Sequence, residues 1–388
     1  MTVATERTDV FAQCRAIVED PGLSAARQWK DTHPGAGVVG CYPVYSPFEL
    51  VHAAGLLPVG IIGGGNRVEI AHADARFQSF ICSIVKSTLE LGLTNRLDLL
   101  DGMLFHSICD PARNLASVFA RNFPHLRVEY VHFPQNLASP HAAAYLTAEL
   151  RRIRAVVQEL AGRPPDDSAL RNSIALYNRW RRNVRVLYDL RRTAPEKLSA
   201  AESYALVRAG TLMPVEEHLP LLEEALVQIP ARSAKRQDRI RVLVEGAFCE
   251  QPPLELIACI EEAGCYLLDD DFLLGWRWFT GDVPEDGDPV EALATSYIDR
   301  SVYCGTKHDV RESKAGHLSQ RAQALGADAV IFLCAKFCEP ALFDYALYRR
   351  ALEAAAIPHL LLEFEEKMWI FDRVRSEVET FVESMLFR

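Results

Sequence analysis

The sequence predicts an α/β protein with two doubly wound parallel-sheet domains, one helical segment before them and another between them. Three observations carry this. Short apolar runs alternate with helix-patterned stretches across residues 34–137, the alternation stops across 138–236, and it resumes over 237–388. A chain of 388 residues also exceeds the size at which one hydrophobic core usually stops growing, so more than one domain is expected.

Taken in order, residues 1–33 read as polar-faced helices with Phe11, Cys14, Ile17 and Val18 on one stripe, an appendage to the first domain. That domain, 34–137, contains four apolar runs: Val38 to Cys41, "LLPVGII", "GMLFH" at 102–106 and "VEYVHF" at 128–133. Runs without polar alternation suit strands covered on both faces. Between them "SPFE" signals a helix start, with Ser46 as cap, Pro47 at the first helical position, Glu49 closing a capping box and Gly55 ending the helix. The bridging segment, 138–236, has only helical spacing, as in "AAAYLTAELRRIRAVVQELAG". In the second domain, 237–388, the strands are "RIRVLVEG", "CYLLDD", "AVIFLCAK" and "HLLLEF", with a helix near 309–326 and a last one running to Arg388. Strands alternating with helices build parallel sheets of the Rossmann or flavodoxin type. Their crossovers are right-handed, and their ligands lie beyond the carboxyl ends of the strands.

Composition narrows the function. Hydrophobic residues at 49% and charged residues at 24% describe an ordinary globular protein, not a disordered, fibrous or coiled-coil chain. A net charge of -10 argues against a phosphate-neutralising surface, so no nucleic-acid partner is expected, while a local basic pocket can still hold one anionic ligand. The longest apolar stretch, "HAAGLLPVGIIGGG", is too short and glycine-rich to span a membrane, and "MTVATERTDV" lacks a signal-peptide core. No membrane partner and a cytoplasmic location are therefore expected. The glycine turn at 61–65 lacks the dinucleotide fingerprint and no phosphate-binding G-x-x-x-x-G-K loop occurs, so the chain is expected to bind no nucleotide itself.

None of the ten cysteines shows Cys-x-x-Cys spacing, so a metal site must be assembled from distant segments. The strand-end rule sorts them. Cys41 follows a strand that ends at "VVG", Cys109 follows "GMLFH" in "SICDPARN", and Cys338 follows "AVIFLCAK" in "FCEP", so all three read as ligand-side positions. Cys82, in "FICSIVKSTLE", reads as a helical residue one turn before Lys86, able to reach the same crevice. Cys109 precedes Asp110-Pro111 and Cys338 precedes Glu339-Pro340, so both enter helix starts, where backbone N–H groups favour thiolate. Cys334, inside the apolar run, is expected to be packed. Three thiolates from two domains suit an iron–sulfur cluster better than a structural zinc, which takes a closed set of four ligands.

The segments "GCYPVYSPFELVHAAGLLPVGIIGGG", "FICSIVKSTLE", "GMLFHSICDPARNLASVFARNFP" and "AKFCEPALFDYALYRRALEAAAIPHLLLE" resemble the family of 2-hydroxyacyl-CoA dehydratase and benzoyl-CoA reductase subunits. The resemblance runs through nearly the whole chain. Its wording is most similar to the gamma or C type, the smaller cluster-bearing subunit of the ATP-dependent reductase branch. It implies a 4Fe-4S cluster held by Cys82, Cys109 and Cys338, with Cys41 left open as a fourth ligand. Cys14, Cys249, Cys259, Cys265, Cys304 and Cys334 match no ligand position and read as packed or incidental.

The implied reaction dearomatises benzoyl-CoA to a cyclohexadiene-carbonyl-CoA in anaerobic aromatic degradation. Reduced ferredoxin supplies the electrons, activator-type ATPase subunits carry ATP and Mg, and a homologous cluster-bearing subunit is the partner. Near the strand ends, His106, His132 and Glu49 are candidate proton donors. Lys86, Arg113 and Lys336 are candidate contacts for coenzyme A phosphates. Two other readings stay open: a subunit of a 2-hydroxyacyl-CoA dehydratase, and a non-catalytic thioester-binding α/β scaffold.

Overall fold

Eight apolar runs become eight strands in two parallel sheets. The computed structural model describes residues 9–164, 166–273, 280–301, 303–305, 307, 309–311, 313–365 and 367–386. In the first half, β1 (Val38–Cys41), β2 (Leu57–Gly60), β3 (Gly102–His106) and β4 (Arg127–Val131) lie in the order β2-β1-β3-β4. In the second, β5 (Ile240–Glu245), β6 (Cys265–Asp270), β7 (Ala329–Ala335) and β8 (His359–Phe364) lie in the order β6-β5-β7-β8. The two halves thus share one topology. In each, the order reverses between the first and third strands, and this is where a doubly wound sheet opens a ligand crevice. The central strands β1, β3, β5 and β7 are almost wholly buried, whereas β4 and β8 are edges with several half-buried residues. "VEYVHF" is therefore an edge strand, starting one residue early at Arg127, and not a strand covered on both faces.

Helices α1 (Val10–Val18) and α2 (Ser24–Thr32) precede the first sheet, and α3 (Phe48–Ala53), α4 (Ser83–Leu93) and α5 (Asp110–Asn122) belong to it. The bridge consists of α6 (Ala142–Ala161), α7 (Asp167–Thr193), α8 (Ala200–Ala209) and α9 (Val215–Ala231). Around the second sheet lie α10 (Leu254–Glu262), α11 (Pro289–Arg300), α12 (Lys314–Ala324), α13 (Glu339–Ala354) and α14 (Asp372–Leu386). Helix α1 does not stand apart as an appendage. It packs against α8 and α9, and Val10, Cys14 and Val18, four residues apart on one face, are its buried stripe.

Two local expectations change. The cap of α3 is Pro47, because the Ser46 hydroxyl turns back to donate to the Tyr42 carbonyl at 2.8 Å and Glu49 is buried in an ion pair. Gly55 does end that segment, at φ +79°. Helix α11 had no counterpart in the sequence reading, although it carries a strong start signal: Asp288 caps Val290 and Glu291, and Pro289 takes the first helical position.

The 27-residue α7, about 40 Å long, joins the halves. Its Arg181 pairs with Glu49 of α3, and its Arg191 pairs with Asp270 of β6 at 2.5 Å. All four side chains are at most 5% exposed. Each half is therefore fastened to the same helix by a desolvated ion pair, in which neither charge tolerates loss of its partner.

Candidate metal centre

The site is built from three helix starts. Cys82 is the N-cap of α4, Cys109 of α5 and Cys338 of α13. Cys82 thus precedes its helix, where the sequence suggested a position inside it. At α5 and α13 an acid and a proline fill the first two helical positions. The carboxylate suits the positive end of the helix, and the proline lacks an N–H that would have had no intrahelical partner. The Ala112 N–H donates to the Cys109 sulfur and the Ala341 N–H to the Cys338 sulfur. Phe337 stands in the left-handed region at φ +66°, turning the chain from β7 into α13.

These three cysteines border one cavity of about 270 Å³, together with Cys249 and Tyr42. Apolar side chains including Phe80, Ile108 and Phe248 share the wall with Gln78, Asp110, Asn114 and Glu339. The cavity lies where the carboxyl ends of β1 and β3 face those of β5 and β7, so the two switch points share it. All ten cysteines are free thiols. Burial pushes Cys109 up to about 11, with the Ala112 N–H opposing it. Cys338 is lowered, first because the Cys249 S–H donates to it, and Cys249 is raised well above the usual thiol range for the same reason. Burial also raises the Tyr42 phenol, reinforced by the charges of Cys82, Cys109 and Cys249.

Among the described residues, no three His, Cys, Asp or Glu side chains close around one point as a single ion requires. The thiols ring a cavity instead. That arrangement, with backbone N–H groups directed at two of the sulfurs, fits a cluster of several irons held by thiolates.

The other candidates lie elsewhere. Cys41 is fully buried in β1, its thiol directed at the Val39 carbonyl at 3.8 Å, and Cys334 is fully buried in β7. His106 is buried beside the Tyr42 carbonyl and the Tyr45 N–H, each 3.1 Å from Nε2, and burial lowers it to about 3. His132 packs its ring on Tyr130, and Glu49 serves Arg181. Lys86 pairs with Asp74 and Lys336 with Glu365, both at 2.7 Å, and the Arg113 N–H closes the first turn of α5 on the Cys109 carbonyl. None of these eight side chains borders the cavity.

Of the residues that border the cavity, Tyr42 was not singled out in the sequence, and Cys249, read there as packed or incidental, stands on the cavity. Tyr42 immediately follows β1, and Cys249 follows β5 within "CEQP", which repeats the cysteine and acid of "CDP" and "CEP" but lies four residues before Pro253, the cap of α10. Both signals were present, in the strand-end rule and in the recurring cysteine and acid.

Residues 43–385 match the family described as 2-hydroxyglutaryl-CoA dehydratase, D-component. The chain is also 40% identical to the C subunit of benzoyl-CoA reductase from Thauera aromatica, over 97% of this chain and 98% of that protein. The chain belongs to this dehydratase and reductase family. More distant members include the lactoyl-CoA dehydratase beta subunit of Anaerotignum propionicum, 29% identical, and the (R)-phenyllactyl-CoA dehydratase beta subunit of Clostridium sporogenes, 27% identical, each over 97% of this chain and 98% of the relative. Among the described residues no helix is long and apolar enough to cross a membrane.

Proposed function

We propose that this chain is the iron–sulfur subunit of an ATP-dependent, ferredoxin-driven benzoyl-CoA reductase of the cytoplasm, holding a 4Fe-4S cluster with Cys82, Cys109 and Cys338. The observation that carries the reading is the convergence of three N-cap cysteines, drawn from both halves, on one cavity. The identity of 40% to a benzoyl-CoA reductase subunit, against 27–29% to dehydratase subunits, favours reductase over dehydratase.

The bound cluster would supply one-electron transfer at low potential. The chain's own residues do the rest. The N–H groups of Ala112 and Ala341 stabilise negative charge on Cys109 and Cys338. Ile108 and Phe248 give the cavity apolar surface, and the Tyr42 phenol borders the same cavity as the sulfurs. ATP hydrolysis falls to activator-type partner subunits, and a homologous cluster-bearing subunit completes the complex.

The test is anaerobic purification with the co-expressed partners, followed by iron and acid-labile sulfide analysis and by turnover of benzoyl-CoA. Stoichiometric consumption of two electrons per product supports the reductase. Turnover of a 2-hydroxyacyl-CoA with only catalytic electrons would assign the chain to a dehydratase, and a chain free of iron and sulfide would leave only a scaffold.

A further inference from the structure

Cys249 has no role in the reading above, yet it borders the same cavity as the three cysteines that do. The loop that carries it is held at both ends. At its start, the Asp271 carboxylate accepts from the N–H groups of Gly246 at 2.7 Å and Ala247 at 3.0 Å. Gly246, at φ +100°, passes so close to β7 that a Cβ there would lie 2.8 Å from the Cys334 sulfur, so only glycine fits. At the far end, the Ser83 hydroxyl donates to the Glu250 carboxylate, tying the residue after Cys249 to the residue after Cys82. Between these anchors the Cys249 thiol meets Cys338. Strands β5 and β7 are neighbours, so the loops leaving them are neighbours too.

We propose that Cys249 is the fourth protein ligand of the cluster, so that each half of the chain supplies two thiolates: Cys82 and Cys109 from the first, Cys249 and Cys338 from the second. This rests on the cluster reading above. Cys41 does not take this place, because it is enclosed in β1 and does not border the cavity. A chain whose irons are all held by thiolates offers substrate no open coordination position. Its part is electron relay, with the thioester reduced at another site.

The test uses the full chain, loaded anaerobically with iron and sulfide and then titrated with ferricyanide under electron paramagnetic resonance. Loss of one ferrous ion and one electron, the electron passing to ferricyanide, converts a four-iron cluster into a three-iron form, and an iron without a thiolate leaves most easily. The natural chain should resist conversion, and Cys249→Ala should convert roughly tenfold faster. Equal rates would overturn the proposal. Because Cys249→Ala could disturb the loop, iodoacetamide labelling of the natural chain gives a second readout. Loading should protect Cys249 together with Cys82, Cys109 and Cys338, and unchanged labelling of Cys249 would also overturn it. A natural chain that takes up no iron overturns the cluster reading, and this inference with it.

Discussion

The two halves share a strand order and a clamp on α7, but they present cysteine differently at their first strands. In the first half Cys41 is the last residue of β1, where its side chain is enclosed by the sheet and its neighbours. In the second half the chain leaves β5 at Glu245, bends at Gly246 and reaches Cys249 only in the loop beyond, on the cavity. The first half makes up its second sulfur from Cys82, brought back by the long connection after β2. A few residues of displacement along one topology separate a packed thiol from a thiol that borders the cavity. Location relative to the strand end decides which.

The largest expected effect tests this contrast inside the second half. Cys338→Ser should remove most of the iron bound by the anaerobic chain, whereas Cys334→Ser, four residues earlier and inside β7, should keep it and lose only stability. Equal iron loss from two folded variants would break the distinction.

The clamps come next. Arg181→Met and Arg191→Met should each destabilise the chain by about 3–5 kcal/mol in urea unfolding, because each strands a buried carboxylate, Glu49 or Asp270. A loss below about 1 kcal/mol at either site would mean that water reaches that carboxylate and that the halves are not fastened alike.

Cys41→Ala, in the first half, should cost about 1 kcal/mol of packing and leave bound iron unchanged. Iron loss in this variant would return Cys41 to the ligand set.

A pH-dependent effect concerns the bridge on which both halves depend. His218 accepts from the Trp180 indole N–H at 3.1 Å and donates to the Leu206 carbonyl at 2.8 Å, which fixes a neutral ring, and burial lowers it to about 4. Between its ordinary value of 6.5 and about 4 the unfolded chain takes up a proton that the folded chain refuses. Stability should therefore fall as pH drops through that window, by at most about 1.4 kcal/mol per pH unit, and should not change above it on this residue's account. His218→Gln should flatten the slope of urea midpoints over that range, and an unchanged slope would rule out a neutral buried His218 as its source.

Much of this arrangement was legible in the chain. Unbroken apolar runs marked the strands, and Cys-Asp-Pro and Cys-Glu-Pro at strand ends marked Cys109 and Cys338 as helix starts. What stayed hidden depended on adjacency. That β5 lies beside β7 cannot be seen from "RIRVLVEG" and "AVIFLCAK", so "CEQP" was not connected to "CEP" and Cys249 passed as incidental. Cys82 reads as helical because "ICSIVKSTLE" is helix-patterned throughout, and only the fold shows that the helix begins one residue later. The two lysines proposed for an anionic ligand had no such marker. Their ion-pair partners, such as Asp74 for Lys86 and Glu365 for Lys336, become visible only in three dimensions.

In the proposed centre, one cavity at the seam would hold one cluster with sulfurs from both halves. The direct measurement is iron and acid-labile sulfide per chain in anaerobically purified natural protein, Cys109→Ser and Cys338→Ser, with folding checked by circular dichroism. About four irons per natural chain and a severe loss in each variant are predicted. A full complement of iron in either folded variant would contradict the claim, because one half alone would then be holding the metal.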